Sequence, residues 1–374
     1  MPAPKATDDE IIAFLKTGSK AAAAKHFDID YRSFQRRCKR IALKGFSPEH
    51  DMTRTVPDGF KVKGVSSLYN KDGVLAAQWV KSSADDERRF ELMVEAVEEL
   101  KKDAKQVKII PMAVSRNSDL LNVYTISDFH IGMLSWGEET GGDWDTDIAV
   151  QRLVSWFHAS IQASPPAESC VFAQLGDFLH WDGMDAVTPA SKHLLDADTR
   201  FSRLVRVAIR VLAEVTEMLA EKYTNVYVIH AEGNHDPASS VWLRETFAFR
   251  YEKTKGITVE TRPDPYYCYE HGLTSLFWHH SHKHRMQGLD SVFASKFRAV
   301  FGRTKYSYGH TGHLHHKVVK ETNLMILEQH PTLAEPDAYA SRGGYMSQCN
   351  SSVITYHKDY GEVGRITISP DMLK

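Results

Sequence analysis

The chain has 374 residues, of which 42% are hydrophobic and 25% are charged, which is the composition of an ordinary globular protein. Its 46 basic and 48 acidic residues nearly cancel, so the overall charge does not indicate a nucleic-acid partner, although a local cluster of charge can still bind one. The four cysteines are far apart and form no CxxC pair, which argues against a disulfide framework or a structural zinc site.

The same features bear on where the protein acts. Widely spaced cysteines favour reduced thiols, and the first residues, MPAPKATDDE, contain no apolar signal segment. No stretch of the sequence is long enough to span a membrane. We therefore expect a cytoplasmic protein without membrane association.

Residues 1–46 are predicted to form a small helical unit. Thr7 is the N-cap of a first helix, SKAAAAKHF forms a second, and YRSFQRRCKRIALKG forms a third that ends at Gly45. A short helix, a tight turn and a basic helix are typical of a helix-turn-helix unit, and this segment resembles the units at the front of many phage and bacterial proteins. The third helix carries the residues that we predict to bind nucleic acid: Arg32, Arg36, Arg37, Lys39 and Arg40. The alternative is a solvated basic face.

Residues 47–118 are predicted to connect this unit to a larger domain. Two β-like runs flank Lys71-Asp72-Gly73, which is a hairpin signal, and SADDERRFELMVEAVEELKKD is strongly periodic with a helical start. The charged residues of this helix are typical of a solvated face, so we assign no chemistry to the connector.

Residues 119–374 show the pattern of an α/β domain. Short apolar strands alternate with helices up to about residue 250, and after residue 256 the strands follow one another closely. This order predicts a mixed sheet that ends in antiparallel strands.

Five of the predicted strands in this domain end in side chains that can bind metal. Because ligands in α/β sheets gather beyond the carboxyl ends of the strands, we expect these side chains to share one site. They are Asp128 and His130; Asp177; Asn234, His235 and Asp236; His279, His280 and His282; and His310, His313 and His315. Imidazole and carboxylate without thiolate suit Mn, Fe, Zn or Ni. The set exceeds what one ion needs, and two ions about 3.5–4 Å apart that share one carboxylate would use it.

Each of these motifs is weak by itself, and several histidines have a structural alternative. We favour a structural role for His279, His284, His310 and His316. The ordered series DxH, GD, GNHD, a histidine after a strand and GHxH is far more specific than any of its members.

The series resembles the motifs of the calcineurin-like metallophosphoesterases. The matching segments cover residues of about 120 to 320: Asp128-Phe129-His130, Gly176-Asp177, Gly233-Asn234-His235-Asp236, His280 and Gly312-His313-Leu314-His315. With the N-terminal unit and the C-terminal segment that begins LAEPDAYASRGGYMSQCN, the layout is similar to phage-borne members of the family and to the nuclease subunit of recombination-repair exonucleases. The resemblance implies a four-layer fold, in which two mixed β-sheets lie face to face with helices outside.

The resemblance also implies a role for each site residue. It assigns Asp128, His130 and His315 to one divalent metal ion and Asn234, His280 and His313 to a second, with Asp177 between them. His235 would face the substrate as an acid, with Asp236 close enough to orient it. The fourth motif departs from the family, because Ser281 stands where glycine is usual, and His279 and His282 remain alternatives to His280. Manganese is the expected metal, with iron, zinc or nickel as alternatives.

These features predict a two-metal phosphodiester hydrolase that acts on DNA in the cytoplasm of a bacterium or a phage-infected host cell. The cations would activate water for in-line attack on phosphorus. A phosphatase or cyclic-nucleotide phosphodiesterase with small substrates is one alternative, and a DNA-binding regulator with an inactive site is another. The resemblance alone suggests a homodimer.

Overall fold

The structure is a computed structural model that describes residues 6–43, 45–47, 52–53, 60–72, 75–84, 91, 109 and 116–373. The chain divides into two compact units, Met1–Glu98 and Glu99–Lys374. Among the helices of the described residues, none has the length and apolar character needed to cross a bilayer.

The first unit begins with the three helices that the sequence predicts: α1 (Asp8–Leu15), α2 (Lys20–His26) and α3 (Tyr31–Leu43). Thr7 caps α1 in a capping box, in which its hydroxyl accepts from the Glu10 N–H at 3.3 Å and the Glu10 carboxylate accepts from the Thr7 N–H at 2.6 Å. Ile11, Phe34 and Ile41 lie in the small core between the helices. The helices are confirmed, whereas their assignment as a DNA-binding helix-turn-helix stays a prediction.

The first unit also contains two pairs of strands. The short strands β1 (Phe46–Ser47) and β2 (Met52–Thr53) are antiparallel, as are β3 (Phe60–Tyr69) and β4 (Leu75–Ala84). The β3–β4 pair confirms the hairpin predicted around residues 71–73. The helix predicted over residues 83–103 lies almost wholly outside the described residues.

The second unit is built on a six-stranded mixed sheet with the order β15-β14-β5-β6-β7-β8. Its strands are β5 (Asn117–Ile126), β6 (Ala167–Gln174), β7 (Asn225–His230), β8 (Ile257–Val259), β14 (Ser351–His357) and β15 (Gly361–Ile368). Strands β5 to β8 are parallel, and β14 and β15 are antiparallel to their neighbours. The helices in this part of the chain are α4 (Gly137–Thr140), α5 (Thr146–Ala163), α6 (Phe201–Lys222) and α7 (Pro237–Tyr251).

A second, five-stranded mixed sheet has the order β12-β13-β11-β10-β9. Its strands are β9 (Tyr267–His271), β10 (Thr274–Trp278), β11 (Tyr306–Thr311), β12 (Val318–Glu321) and β13 (Ile326–Gln329), and the remaining helices are α8 (Leu289–Lys296), α9 (Arg298–Arg303), α10 (Ala338–Gly343) and a 3₁₀ turn (Pro370–Leu373). Strand β10 is parallel to β11, and β11 is parallel to β13. The sequence pattern did not predict β12, α8 or α9.

The two sheets pack face to face with helices on their outer surfaces. Val171 and Ile229 of the first sheet share one buried core with Leu276 of the second. On the outside of the first sheet, Tyr124 stacks on Phe157 of α5, and on the outside of the second, Phe277 stacks on Phe293 of α8. These contacts confirm the four-layer arrangement of two mixed sheets flanked by helices.

Candidate metal centre

The loops that follow β5, β6, β7, β10 and β11 meet at one place. Backbone hydrogen bonds join the loops within each sheet, from the Asp128 N–H to the Gly176 carbonyl at 3.1 Å and from the Gly312 N–H to the His280 carbonyl at 3.2 Å. The His313 N–H donates to Asp128 Oδ2 at 2.8 Å, which connects a loop of one sheet to a loop of the other. The predicted gathering of side chains at the carboxyl ends of the strands is therefore present.

Five residues in these loops have a left-handed backbone conformation. Outside glycine this conformation costs on the order of 1–3 kcal/mol and persists only where the surroundings impose it, most often at functional sites. The five are Asp128 (φ 53°), His130 (φ 46°), Asp177 (φ 50°), His313 (φ 77°) and His315 (φ 56°). The backbone of Ser281 is also left-handed, with φ 86°, a conformation that favours glycine.

One group of potential ligands contains Asp128, His130 and His315, whose ligand atoms all lie within 4.8 Å of one another. The Nε2 atoms of His130 and His315 are 3.3 Å apart, and His315 Nε2 is 3.4 Å from Asp128 Oδ1. This oxygen is fully buried and has no hydrogen-bond partner among the described residues. Its nearest polar neighbours are the Nε2 atoms of His315 and His280, at 3.4 and 3.8 Å, and a buried carboxylate oxygen surrounded by imidazole nitrogens in this way fits a divalent cation.

A second group contains Asp177, His280 and His313. His280 Nε2 lies 3.1 Å from Asp177 Oδ2 and 3.3 Å from Asn234 Oδ1. Its Nδ1–H donates to the Leu175 carbonyl at 2.9 Å, which leaves Nε2 as the ligand atom. His280 Nε2 is also 3.8 Å from Asp128 Oδ1, so the two groups adjoin.

The structure places His280, and not its two alternatives, between these groups. His279 stacks on Tyr266 with ring centroids 4.4 Å apart, and its Nδ1 accepts from the Ser281 N–H. His282 lies 3.7 Å from the Glu232 carboxylate.

Electrostatic interactions keep the two aspartates ionised. Burial alone would raise the pKa of Asp128 and of Asp177, but His280 and other nearby histidines outweigh burial and lower both pKa values. Burial, reinforced by His235, lowers the pKa of His130 and keeps its imidazole neutral. For His280, burial would lower the pKa, but Asp177 and Asp128 raise it to about 9, so a cation bound at Nε2 would displace a proton.

Two further histidines, His180 and His235, pack beside the first group. His235 Nδ1–H donates to the His180 carbonyl at 2.8 Å, and the His235 N–H donates to Asp177 Oδ1 at 2.7 Å. The Nδ1 atom of buried His180 is 3.3 Å from that of His130, and its ring stacks on His235 at 5.6 Å. Burial, together with His235, lowers the pKa of His180 to about 3. Sequence reasoning missed His180, although it lies three residues after Asp177 in GDFLH.

Asp236 differs from the expectation that it orients His235. Its buried carboxylate accepts four backbone N–H groups instead, from Asp177 at 3.1 Å, Phe178 at 2.7 Å, Leu179 at 3.1 Å and Gly233 at 3.2 Å. The His235 ring is oriented by the His180 carbonyl. Asp236 therefore stabilises the loop that carries Asp177.

Two glycines allow the loops to approach the carboxylates closely. A Cβ atom on Gly312 would lie 1.9 Å from Ser127 Oγ and 2.8 Å from Asp128 Oδ2. A Cβ atom on Gly233 would lie 2.1 Å from Asp177 Oδ1. No side chain fits at either position without moving a carboxylate that the site needs.

The remaining predicted histidines have other partners. His310 Nδ1 and His330 Nε2 are 2.9 Å apart in a buried group with Glu328, which forms an ion pair with Arg365 at 2.6 Å. The neighbouring guanidinium disfavours a cation there and favours a hydrogen-bonded core network. The half-buried His284 and the exposed His316 contact backbone carbonyls at 2.8 and 2.7 Å.

The basic residues of α3 divide into two sets. Arg37 Nε and Arg40 Nη2 contact the Asp8 carboxylate at 2.8 and 3.3 Å. Arg32, Arg36 and Lys39 are exposed on the helix. Part of the predicted nucleic-acid surface is therefore engaged with α1.

Comparisons with known proteins find similarity only among solved structures. No protein-family model matches the chain, and no curated protein matches it significantly. An archaeal phosphodiesterase is 13% identical with a TM-score of 0.34, over 66% of this chain and 99% of the other. Vps29 of Entamoeba histolytica, in complex with zinc, is 11% identical with a TM-score of 0.27, over 67% and 99%. The 5'-nucleotidase of Candida albicans is 10% identical with a TM-score of 0.34, over 71% and 55%. Similarity this low supports no inference about activity, which has to come from the residues of the site.

Proposed function

We propose that the chain is a metal-dependent phosphoesterase that hydrolyses phosphodiester bonds in nucleic acid, with DNA as the expected substrate. The observation that carries this proposal is the pair of adjoining histidine–carboxylate groups, in which buried Asp128 retains an oxygen without a hydrogen-bond partner among the described residues. A site of this composition resembles the two-metal sites of calcineurin-like metallophosphoesterases.

The ligands follow the two groups. Asp128, His130 and His315 would hold one cation, with manganese as the expected metal. Asn234, His280 and His313 would hold the other, and Asp177 would lie between the two. When bound, the two cations would activate water and offset negative charge on the phosphoryl oxygens.

His235 is the residue that we propose as the general acid. Its Nδ1–H donates to the His180 carbonyl, so Nε2 is the atom that can carry and release a second proton. Protonated at Nε2, His235 would transfer that proton to the departing alkoxide, a contribution typically worth ~10²–10⁴-fold in rate. His180 positions His235 through its carbonyl and by ring stacking.

The choice of nucleic acid as substrate has a separate basis. Arg32, Arg36 and Lys39 form an exposed basic surface on α3, and such a surface can bind phosphates through charge-assisted contacts. The complete set of ligand residues argues against a regulator with an inactive site, because a protein that only binds DNA does not need to retain them.

The proposal can be tested by hydrolysis assays with Mn²⁺ on linear DNA, bis(4-nitrophenyl) phosphate and 4-nitrophenyl phosphate. We expect cleavage of DNA and of the small diester, dependence on added metal, and loss of both activities in Asp177→Asn. Hydrolysis of the monoester alone would favour a phosphatase. A metal-loaded protein that cleaves none of the three would contradict the proposal.

A further inference from the structure

Two exposed tyrosines form a pair on α10 and the turn that follows it. Tyr339 is 75% exposed and Tyr345 is 64% exposed. Their rings are stacked, with centroids 6.2 Å apart and planes inclined by 29°. Neighbouring exposed aromatic rings leave apolar faces in water, which is a feature of ligand-binding surfaces.

The turn holds the pair in a defined geometry. Asp337 caps α10 by accepting from the Ala340 N–H at 2.7 Å, and the Tyr345 N–H donates to the Ala340 carbonyl at 3.0 Å. Gly344 has a φ of 70° and turns the chain back. A Cβ atom on Gly343 would lie 2.4 Å from the Tyr345 ring, so this ring rests against the helix backbone. The backbone of the turn and the contact with Gly343 thus limit the freedom of the Tyr345 ring before a ligand binds.

Two contacts made by side chains of α10 join this helix to α4. Arg342 Nη2 is 2.6 Å from the Glu139 carboxylate, and Ser341 Oγ donates to the Glu139 carbonyl at 2.8 Å. The pair therefore belongs to an ordered surface of the second unit.

The segment that leads to this surface contacts the candidate metal centre. Thr332 Oγ1 donates to the Asp128 carbonyl at 2.7 Å, and Ser135 Oγ donates to the Pro336 carbonyl at 2.9 Å. Asp337 is one of the carboxylates that act electrostatically on His315, and Tyr339 follows it by two residues. Thr332, which contacts the backbone of the ligand Asp128, thus precedes Tyr339 by seven residues.

We infer that Tyr339 and Tyr345 bind an unpaired base of a nucleic-acid substrate by stacking and so direct a neighbouring phosphodiester to the metal centre. Every nucleobase has a π face that can stack on tyrosine, whatever its sequence, and the faces of paired bases inside a duplex are covered. The substrate class that fits is single-stranded nucleic acid, or duplex with an unpaired end. This inference rests on the proposed hydrolysis of nucleic-acid phosphodiesters.

The test compares steady-state kinetics of wild type, Tyr339→Ala, Tyr345→Ala and the conservative variant Tyr339→Phe. The substrates are a single-stranded oligonucleotide, the same oligonucleotide with abasic sites, and methyl 4-nitrophenyl phosphate as a small diester. Tyr360→Ala serves as the matched control, because Tyr360 is 67% exposed but lies in the β14–β15 turn. Base stacking on an aromatic side chain is worth about 1–3 kcal/mol, or roughly a 5- to 150-fold change in affinity.

We expect each alanine variant to raise KM for the oligonucleotide at least 5-fold, with little change for the abasic strand or the small diester. Tyr339→Phe and Tyr360→Ala should resemble wild type. An unchanged KM in both alanine variants, or an equal loss on the abasic strand, would overturn the inference, as would a requirement for the tyrosine hydroxyl. A wild type that hydrolyses the small diester but shows no preference for strands with bases would overturn the inference and leave the phosphoesterase proposal standing. A wild type that hydrolyses neither substrate would overturn the proposed function itself.

Discussion

At the scale of single residues, the same two aspartates are both buried and held in an unfavourable backbone conformation. Asp128 and Asp177 are buried and ionised, and a buried charge costs free energy unless a partner compensates it. Their backbone is also in the left-handed region, which costs further free energy. Histidines compensate part of this cost, and a bound cation would compensate more. The strain is therefore explained most simply by the demands of a metal site.

Metal counting can test the proposed position of Asp177 between the two ions. We expect Asp177→Asn to reduce occupancy of both positions, because its carboxylate would contact both cations. Asp128→Asn should deplete mainly the position shared with His130 and His315. Inductively coupled plasma mass spectrometry of the purified variants gives the stoichiometry, with Asp147→Asn, at an exposed residue of α5, as the control. Full and equal occupancy in both site variants would show that the assignment is wrong.

A second prediction at this scale concerns His235. His235→Ala should retain metal and slow the release of poor leaving groups by ~10²–10⁴-fold, because an alkoxide needs a proton whereas nitrophenolate hardly does. The measurement is kcat on DNA compared with kcat on bis(4-nitrophenyl) phosphate, and His158→Ala, at an exposed histidine of α5, is the control. Equal losses on both substrates would exclude the acid role.

At the scale of elements, the basic residues of α3 lie in two environments that the charge pattern of the sequence does not distinguish. Arg37 lies 2.8 Å from Asp8 and contributes to the contact between α3 and α1, whereas Arg32 and Arg36 extend from the exposed face. We therefore expect Arg32 and Arg36 to be free to contact phosphates and Arg37 to act mainly in the packing of α3 on α1.

This division predicts different effects of two sets of substitutions in α3. The double variant Arg32→Gln, Arg36→Gln should lower the slope of log affinity for DNA against log salt by about 1.8, since each phosphate contact adds about 0.9. Arg37→Gln should leave the slope near that of wild type and reduce thermal stability. Binding curves at several salt concentrations provide the slopes. If the double variant keeps the wild-type slope, α3 does not bind phosphates.

The loop after β11 depends on the absence of a side chain at Gly312. A Cβ atom there would collide with Ser127 and Asp128, so Gly312→Ala should displace the carboxylate and destabilise the fold by about 1–3 kcal/mol. Gly183 is the matched control, because a Cβ atom there would have no atom within 4 Å. Thermal unfolding and metal titration of both alanine variants test this prediction. Similar behaviour of the two variants would contradict it.

At the scale of the whole molecule, polar contacts as well as the buried core connect the two sheets. Arg365 of β15 forms two hydrogen bonds with Glu328 of β13, at 2.6 and 2.7 Å. The Glu362 N–H donates to the Tyr308 hydroxyl at 2.9 Å, from β15 to β11. The edge strand β15 thus contacts both sheets.

The ion pair between the sheets predicts a pH-dependent stability. Burial alone would raise the pKa of Glu328, but His330 and Arg365 outweigh it and lower the pKa to about 2. Because the folded-state pKa lies below the ordinary value of 4.5, the stabilisation is fully present above pH 4.5 and is lost as the pH falls towards 2.

Replacing Arg365 by methionine should therefore destabilise the protein at pH 7 by up to about 3–5 kcal/mol, because the buried Glu328 carboxylate then keeps, among the described residues, only the more distant cation of Lys317, at 3.8 Å. The difference in unfolding free energy between wild type and the variant should become smaller as the pH falls below 4.5, because Glu328 takes up a proton more readily in the variant than in wild type. Urea unfolding at pH 7, 5, 4 and 3 measures this change. Arg303→Met, at the more exposed pair with Glu270, should change the stability far less at neutral pH, because solvent screens an exposed ion pair. A deficit for Arg365→Met that does not depend on pH would contradict the assignment.

The sequence by itself determined the features that depend on local patterns. The cap at Thr7, the β3–β4 hairpin and the alternation of strands and helices up to residue 250 were predicted, because caps, turn residues and apolar periodicity act over a few positions. The gathering of Asp128, His280 and His315 was also predicted, since polar residues after successive strands share one end of a sheet.

Only the tertiary structure decided features that depend on distant contacts. His180 joins the site because its loop folds against His130, and Asp236 accepts N–H groups from a loop 57 to 59 positions earlier in the chain. Arg37 is engaged by Asp8, from another helix. Strand β12 and helix α8 pack on the second sheet, and their local sequence patterns were too weak to predict them. Packing between segments far apart in the sequence decides which residues a side chain contacts. Local propensity carries no information about these contacts.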